Sequence, residues 1–410
     1  MKRRIAVVTT SRADYSHLYW PLRLLSEHPD VDLQLIAMAS HLSPEFGATL
    51  REIERDGFAI AVRSETLLSS DSDVGMAKSI GVAVLSLADA LGAMRPDLLL
   101  LIADRYEMLA PASVALALRI PIAHIEGGEI SEGAIDDAVR NALTKMSHIH
   151  FTSTENARAR VIAMGEEPWR VHRAGAPSLD HLRRSRLLTR EQVKAACGVD
   201  LRVPALLVAC HPVTLETDTT CEAEALFAAL DEVAEQGSGR GTTQILFCYP
   251  NADAGSRWLM ERTREFVARH ATAKIFVNLD APTYWSLLRN VAVMVGNSSS
   301  GIMETASFAL PTVNVGLRQK GRERARNVLD AAAEKDAILA RIAEARSAAF
   351  RASLEGMTNP YGDGHAAERI VQELTTCPLG RELLVKRQGT GFGSQGSDET
   401  EAGSWKKEEK

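Results

Sequence analysis

Residues 98–129 read LLLLIADRYEMLAPASVALALRIPIAHIEGGE. Two near-continuous apolar runs, Leu98 to Ala103 and Ile120 to Ile125, flank a stretch with helical patterning, and each run stops at charged residues. A strand with one solvated face alternates apolar and polar side chains, whereas strands apolar throughout belong to a parallel sheet covered on both faces. The same sign recurs at Arg4 to Thr10, Leu33 to Ala39 and His148 to Thr154. A second set follows at Pro204 to Cys210, Thr243 to Tyr249, Lys274 to Val277, Val291 to Val295 and Pro311 to Val315. A chain of 410 residues has room for two sizeable cores. The expectation is therefore an α/β protein of two doubly wound parallel-sheet domains.

The first domain is expected over residues 1–178 and the second over 201–361, joined by a charged, helix-prone linker over 179–200 in which Thr189 can cap a helix. Tyr361-Gly362-Asp363-Gly364 reads as a turn, and His365 to Leu374 has the spacing of one more helix, within a segment running to residue 387. From Gln388 to Lys410 the chain is Gly/Ser-rich and then charged, and a disordered tail is expected.

Composition narrows the function. At 45% hydrophobic and 24% charged the chain is ordinary globular material. A formal net charge of −6 offers no basic face to a polyanion, which argues against duplex nucleic acid as a partner. Lys2-Arg3-Arg4 run straight into Ile5-Ala6-Val7-Val8, too short for a signal peptide's apolar region. No apolar stretch of about 18 residues is read anywhere, so no membrane partner is expected and the cytoplasm is the expected compartment. The five cysteines, Cys197, Cys210, Cys221, Cys248 and Cys377, are odd in number and scattered, which predicts reduced thiols. Neither they nor the histidines have zinc-ligand spacing, and no metal is expected.

In open parallel sheets ligands bind at the carboxyl ends of strands, where helix N-termini and backbone N–H groups collect. The first such end carries Ser11-Arg12-Ala13-Asp14, a cation and hydroxyls suited to phosphate, although a surface arginine at a helix start accounts for the same residues. Another carries Asp104-Arg105, which a structural ion pair explains nearly as well. The next opens onto Glu126-Gly127-Gly128-Glu129, then Glu132, Asp136 and Asp137, five carboxylates within twelve residues. Crowded carboxylates can have raised pKa values and serve as acid and base, while Asp136 and Asp137 could merely favour a helix dipole. In the second half, His211 ends the first strand, and Gly296-Asn297-Ser298-Ser299-Ser300-Gly301 precedes a helix bearing Glu304. Hydroxyls there can donate to phosphate and Glu304 can accept from a ribose diol; a plain helix cap is the bland alternative. Arg318 and Arg322 follow the next strand and either pair with a diphosphate or are solvated.

Taken in order, TTSRADY, HLSPEFG, ADRYEMLAPA, HIEGGEISEGAIDDAVRNALTKMSH, YPNADAG and GNSSSGIMET resemble the hydrolysing UDP-N-acetylglucosamine 2-epimerases over about residues 4 to 375. The resemblance implies two Rossmann-like domains in the GT-B arrangement, with a UDP-sugar in the interdomain cleft and no added cofactor. It also implies a last helix that returns to the first domain, and a homodimer. The implied reaction eliminates the nucleoside diphosphate with loss of the carbon-2 proton, giving a glycal that is hydrated with inversion at carbon 2. Asp104, Glu129 and Asp136 match family carboxylates implicated in proton transfer. Glu126 is a fourth candidate, standing where many hydrolysing members carry histidine and the non-hydrolysing relatives carry glutamate. Arg12 and His211 would contact the diphosphate, and Ser299, Ser300 and Glu304 would hold phosphate and ribose, with Arg318 and Arg322 beside them.

Members resembling this chain act on UDP-N-acetylglucosamine or its 2,4-diacetamido-trideoxy relative and feed sialic or legionaminic acid pathways. Three other readings share parts of the pattern. A non-hydrolysing 2-epimerase would return an intact nucleotide sugar, and its first loop usually has a GTRPE-like sequence instead of SRADY. A GT-B glycosyltransferase would require an acceptor. A sensor without turnover would have little use for the carboxylate cluster.

Overall fold

The computed structural model describes residues 2–70, 72–216, 218, 220–240, 243–250 and 253–387. The expected tail over residues 388–410 lies outside them, as do Asn251 and Ala252 of the YPNADAG motif. The first sheet contains β1 (Arg3–Thr9), β2 (Val31–Met38), β3 (Ile60–Ser64), β4 (Leu98–Ile102), β5 (Ile122–Ile125), β6 (Ile149–Thr152) and β7 (Val171–Arg173), in the order β3-β2-β1-β4-β5-β6-β7. The second contains β8 (Ala205–Ala209), β9 (Gln244–Cys248), β10 (Ala273–Phe276), β11 (Val293–Gly296), β12 (Thr312–Val315) and β13 (Val328–Ala331), in the order β10-β9-β8-β11-β12-β13. Every pairing is parallel. Both sheets reverse direction beside their first strand, β1/β4 in one and β8/β11 in the other, which sets a crevice at the carboxyl edge of each.

All ten apolar runs form strands. The three strands outside that set, β3, β7 and β13, are sheet edges of three to five residues whose side chains alternate or sit half exposed. An edge strand has one neighbour and little cover, so it need not carry the continuous apolar run that marks a central strand; of the four edges only β10 was legible. The first helix, Arg12–Glu27, shows how a strand end is turned toward the crevice: Ser11 accepts from the Asp14 N–H as its N-cap, and Leu18, Leu22 and Leu25 form a fully buried stripe. Each of those leucines contributes roughly 1.5–3 kcal/mol of burial. Pro21 lies inside this helix.

Residues 179–200 are packed as much as they connect. They form helices Asp180–Arg184 and Arg190–Cys197, the second started by a reciprocal capping box between Thr189 and Gln192, and Leu179, Val193 and Val199 are buried in a core of the second domain. The helix Ala366–Thr376 puts Ala366, Ile370, Val371 and Leu374 into the core of the first domain, where Arg3 donates to the Leu374 carbonyl at 2.6 Å.

One expectation is corrected. Among the described residues the helix Asp73–Met94 is, by length and composition, apolar enough to cross a membrane. Lys78, Ser79, Ser86 and Asp89 break its apolar run in sequence, which conceals it from a search for an unbroken stretch. Its inner face, with Ala83, Leu87 and Leu91, belongs to the first core; outward stand Val74, Val82 and Leu85, the last 75% exposed.

Candidate active site in the interdomain cleft

The carboxyl edges of the two sheets face each other across a cleft of about 310 Å³, lined by the loops that follow β1, β4, β5, β8, β9, β10, β11 and β12. The first domain supplies an acidic wall. Ala103, after β4, and Glu126, after β5, both adopt left-handed backbone at φ 57° and 67°. Such a conformation costs a non-glycine residue about 1–3 kcal/mol and persists where surrounding structure enforces it. Here it brings the side chains of Asp104 and Glu126 to the cleft. Asp104 is paired with Arg140, a fully buried guanidinium on the helix Asp136–Met146 that also donates to the Glu129 carbonyl (2.9 Å) and Ser131 Oγ (3.0 Å). Asp136, in the first turn of that helix, pairs across the cleft with Arg318 at 3.1 Å. Burial pushes the Asp136 carboxyl up, against the opposing pull of Arg318. Asp137 shapes the loop instead, accepting from the Ser131 N–H at 2.9 Å.

Glu129 is not among the cleft-lining residues. It is 1% exposed and sits behind the wall, with Arg322 Nε 3.6 Å away and the Tyr361 hydroxyl hydrogen-bonded at 3.2 Å. Burial raises its pKa, an effect that Arg322 opposes. The residue before it is a glycine for a steric reason: a Cβ at Gly128 would lie 2.3 Å from the Ala157 carbonyl oxygen. The buried turn therefore carries the Glu129 side chain away from the space that Glu126 reaches.

The second domain supplies the cationic and hydroxyl wall. His211, after β8, is locked by both polar groups of Asn297: its N–H donates to Oδ1 at 2.7 Å and its carbonyl accepts from Nδ2 at 2.9 Å. Burial, reinforced by Arg318, lowers the His211 imidazole to about 3, leaving it neutral in this state. Ser299 and Ser300 begin the short helix Ser300–Met303, and Ser300 Oγ bonds both Glu304 and the Tyr284 hydroxyl. Arg318 and Arg322 line the same space, and Arg12 reaches from the first domain to the Val277 carbonyl at 2.6 Å and to Asn278. The domains approach so closely that a Cβ on Gly133 would lie 2.6 Å from the Leu317 carbonyl oxygen and 2.7 Å from Arg318 Cα. Asp104, Glu126, Asp136, His211, Arg12, Ser299, Ser300, Glu304, Arg318 and Arg322 thus share one cleft, and Glu129 braces it from behind.

Several partnerships escaped sequence reasoning. His17 lies between the walls, its Nδ1 2.7 Å from Glu126 and its Nε2 3.6 Å from Glu304. Arg105 bridges Glu107 (2.8 Å) and Asp253 of the second domain (2.6 Å), all three buried. Tyr361, read only as part of a turn, also donates to the Glu323 carbonyl at 2.6 Å. Of these, His17 left a usable trace, five residues beyond Arg12 at the start of the same helix. The pairs Arg105–Asp253 and Tyr361–Glu129 join residues 148 and 232 positions apart and left none. Cys210 and Cys248 are half-buried thiols that desolvation pushes up to about 12 and about 11, unsuited to nucleophilic work. Among the described residues no group of three or more His, Cys, Asp or Glu side chains is placed to hold a metal ion.

Two Rossmann-like domains with carboxylates facing arginines, hydroxyls and a histidine define a GT-B protein built for a nucleotide-linked ligand. Comparison places it more closely. The sequence pattern of the UDP-N-acetylglucosamine 2-epimerase family matches residues 23–375, and the chain belongs to that family. A Legionella pneumophila protein named UDP-N,N'-diacetylbacillosamine 2-epimerase (hydrolyzing) is 37% identical over 386 residues, 94% of this chain and 99% of that protein. A Campylobacter jejuni protein named GDP/UDP-N,N'-diacetylbacillosamine 2-epimerase (hydrolyzing) is 36% identical over 331 residues, 80% of this chain and 84% of that protein. The crystal structure of the Neisseria meningitidis UDP-GlcNAc 2-epimerase bound to UDP-GlcNAc has the same fold, with a TM-score of 0.76 at 16% identity, covering 90% of this chain and 99% of that one.

Proposed function

We propose that this chain is a hydrolysing 2-epimerase of a UDP-activated N-acetyl amino sugar, releasing UDP and the 2-epimeric free sugar. The observation that carries the reading is the opposition, within one cleft, of Asp104, Glu126 and Asp136 to His211, Arg318 and Glu304. The names of the two bacterial relatives favour the 2,4-diacetamido-trideoxy sugar over N-acetylglucosamine. The anomeric C–O bond breaks with its electron pair leaving on the diphosphate, while the carbon-2 proton passes to a carboxylate and a C1=C2 double bond forms. Water then adds hydroxide at carbon 1, and a proton arrives at carbon 2 from the opposite face.

The environments suggest the division of labour. Burial works against charge on Glu126, but His17 and Arg322 outweigh it and hold the carboxyl below its usual range, ready to accept a proton. Asp136 is shifted the other way and suits the acid that reprotonates carbon 2. Asp104, fixed by Arg140, is the third carboxylate in reach, and Glu129 supports Arg322 and Tyr361 without touching the sugar. Arg318, Arg12 and His211 stabilise charge developing on the departing diphosphate, and Ser299, Ser300 and Glu304 hold phosphate and ribose. A homodimer, the cytoplasm and the division into domains over residues 1–178 and 201–361 complete the proposal; light scattering tests the first.

The test offers UDP-N-acetylglucosamine, the UDP-diacetamido sugar and a GDP-sugar in D₂O, with products followed by NMR. Released UDP with deuterium at carbon 2 of an inverted free sugar is the expected result. An intact epimeric nucleotide sugar without free UDP, or turnover only with an added acceptor, overturns it.

A further inference from the structure

We infer that His17 is a positioning residue which, bonded to Glu126 on one domain and facing Glu304 on the other, aims the Glu126 carboxylate at the sugar and links that aim to occupancy of the nucleotide side of the cleft. The inference rests on the 2-epimerase reading above. His17 is in the second turn of the helix Arg12–Glu27, whose rotation is fixed by the buried Leu18 and Leu22 and by the Ser11 cap. The preceding carbonyl, on Ser16, accepts from His181 Nε2 at 3.1 Å, so this turn is anchored from both sides. Glu126, on left-handed backbone, offers Oε1 to His17 at 2.7 Å, and Glu304 Oε1 stands 3.6 Å from the other ring nitrogen.

The charged and titratable groups facing His17 are Glu126, Glu304, Asp14 on its own helix and His181; those facing Glu126 are His17, Arg322, His124 and Glu129. Burial opposes the imidazolium, but the Glu126 and Glu304 carboxylates more than offset it and raise His17 to about 9. A cation held by two carboxylates is shared between them. When a ribose diol engages Glu304, the share taken by Glu126 grows, and the base is held more firmly once the nucleotide is in place.

Full-length wild type, H17Q, H17K and E304Q are compared by ¹⁵N-histidine NMR titration and by the pH dependence of kcat/KM for UDP release. One imidazole resonance, absent in H17Q, is expected to titrate near 9 in the wild type and lower in E304Q or with saturating uridine, which brings the ribose without phosphates. H17Q is expected to lose about 10- to 100-fold in kcat, the scale of a misaimed catalytic group, and to move the acid limb of the profile to higher pH. H17K, which retains a cation, is expected to restore that limb. A purely structural histidine would alter stability and leave the limb in place. An imidazole titrating at or below its ordinary value, an unmoved limb in H17Q, or a resonance indifferent to E304Q overturns the inference. Should the wild type release no UDP from any sugar, the functional reading fails, yet the NMR titration still decides whether the His17–Glu126–Glu304 link exists.

Discussion

Replacing Glu129 by glutamine separates a support from a proton carrier. Arg322 stands 3.6 Å from its carboxylate, and at an effective dielectric of about 20 two unit charges at that distance attract by roughly 4–5 kcal/mol. Taking the carboxylate out of water costs several kcal/mol as well, and its raised pKa shows that burial is the larger effect. A neutral amide of the same shape loses both contributions and can still accept from Tyr361, so the net change in stability is expected to stay below about 2 kcal/mol. Because the side chain does not reach the cleft, kcat should fall by less than about 10-fold. By contrast Asp104→Asn, Glu126→Gln and Asp136→Asn each remove a group facing the sugar, and the loss should be the 10²–10⁴-fold of general acid–base catalysis. The assay is single-turnover UDP release with deuterium incorporation at carbon 2, alongside a urea midpoint for each variant. Glu129→Gln falling as far as Asp104→Asn, at an unchanged urea midpoint, would refute the reasoning and return Glu129 to the chemistry.

The remaining expectations concern the grip, the closure and the acid range. Arg318→Ala should raise KM for the UDP-sugar about 10-fold or more, the loss of one charge-assisted phosphate contact, and steady-state kinetics checks it. Gly133→Ala puts a methyl against Leu317 and Arg318, so kcat should drop while the urea midpoint holds; a fully active variant would mean that the cleft need not close this far. His41 at about 3 and His124, His148 and His181 at about 4 are held neutral chiefly by burial. The unfolded chain binds more protons than the fold between about pH 6.5 and 4, so their contribution is complete above 6.5 and is lost as pH falls through that window. Urea midpoints that stay flat from pH 7 to 4.5 would contradict the placement of these rings.

The sequence disclosed the interior of both sheets and most of one cleft, for one physical reason. Central parallel strands are apolar throughout and their carboxyl ends collect chemistry, so Leu98 to Ala103 announces both a strand and Asp104. Edge strands such as Ile60–Ser64 and Val171–Arg173 carry neither sign. Residue types at strand ends could be counted, but not their direction: the glycine pair that carries Glu126 inward and Glu129 outward looks alike in both roles until the Gly128 backbone is seen against Ala157. Partners from distant segments, such as Arg105 with Asp253 or Tyr361 with Glu129, require the two domains to be assembled first.

The cross-cleft pairs have a further meaning. Arg318 holds Asp136, Arg322 leans on Glu129 and His17 faces Glu304, each partner standing on the other domain, so each of these cations has a carboxylate counter-ion of its own. On the function proposed above, a diphosphate that takes Arg318 exchanges its carboxylate partner for another anion, which moderates affinity and eases the release of UDP. The same exchange would release Asp136 from its arginine only when phosphates claim it, tying the proposed acid to the presence of its substrate.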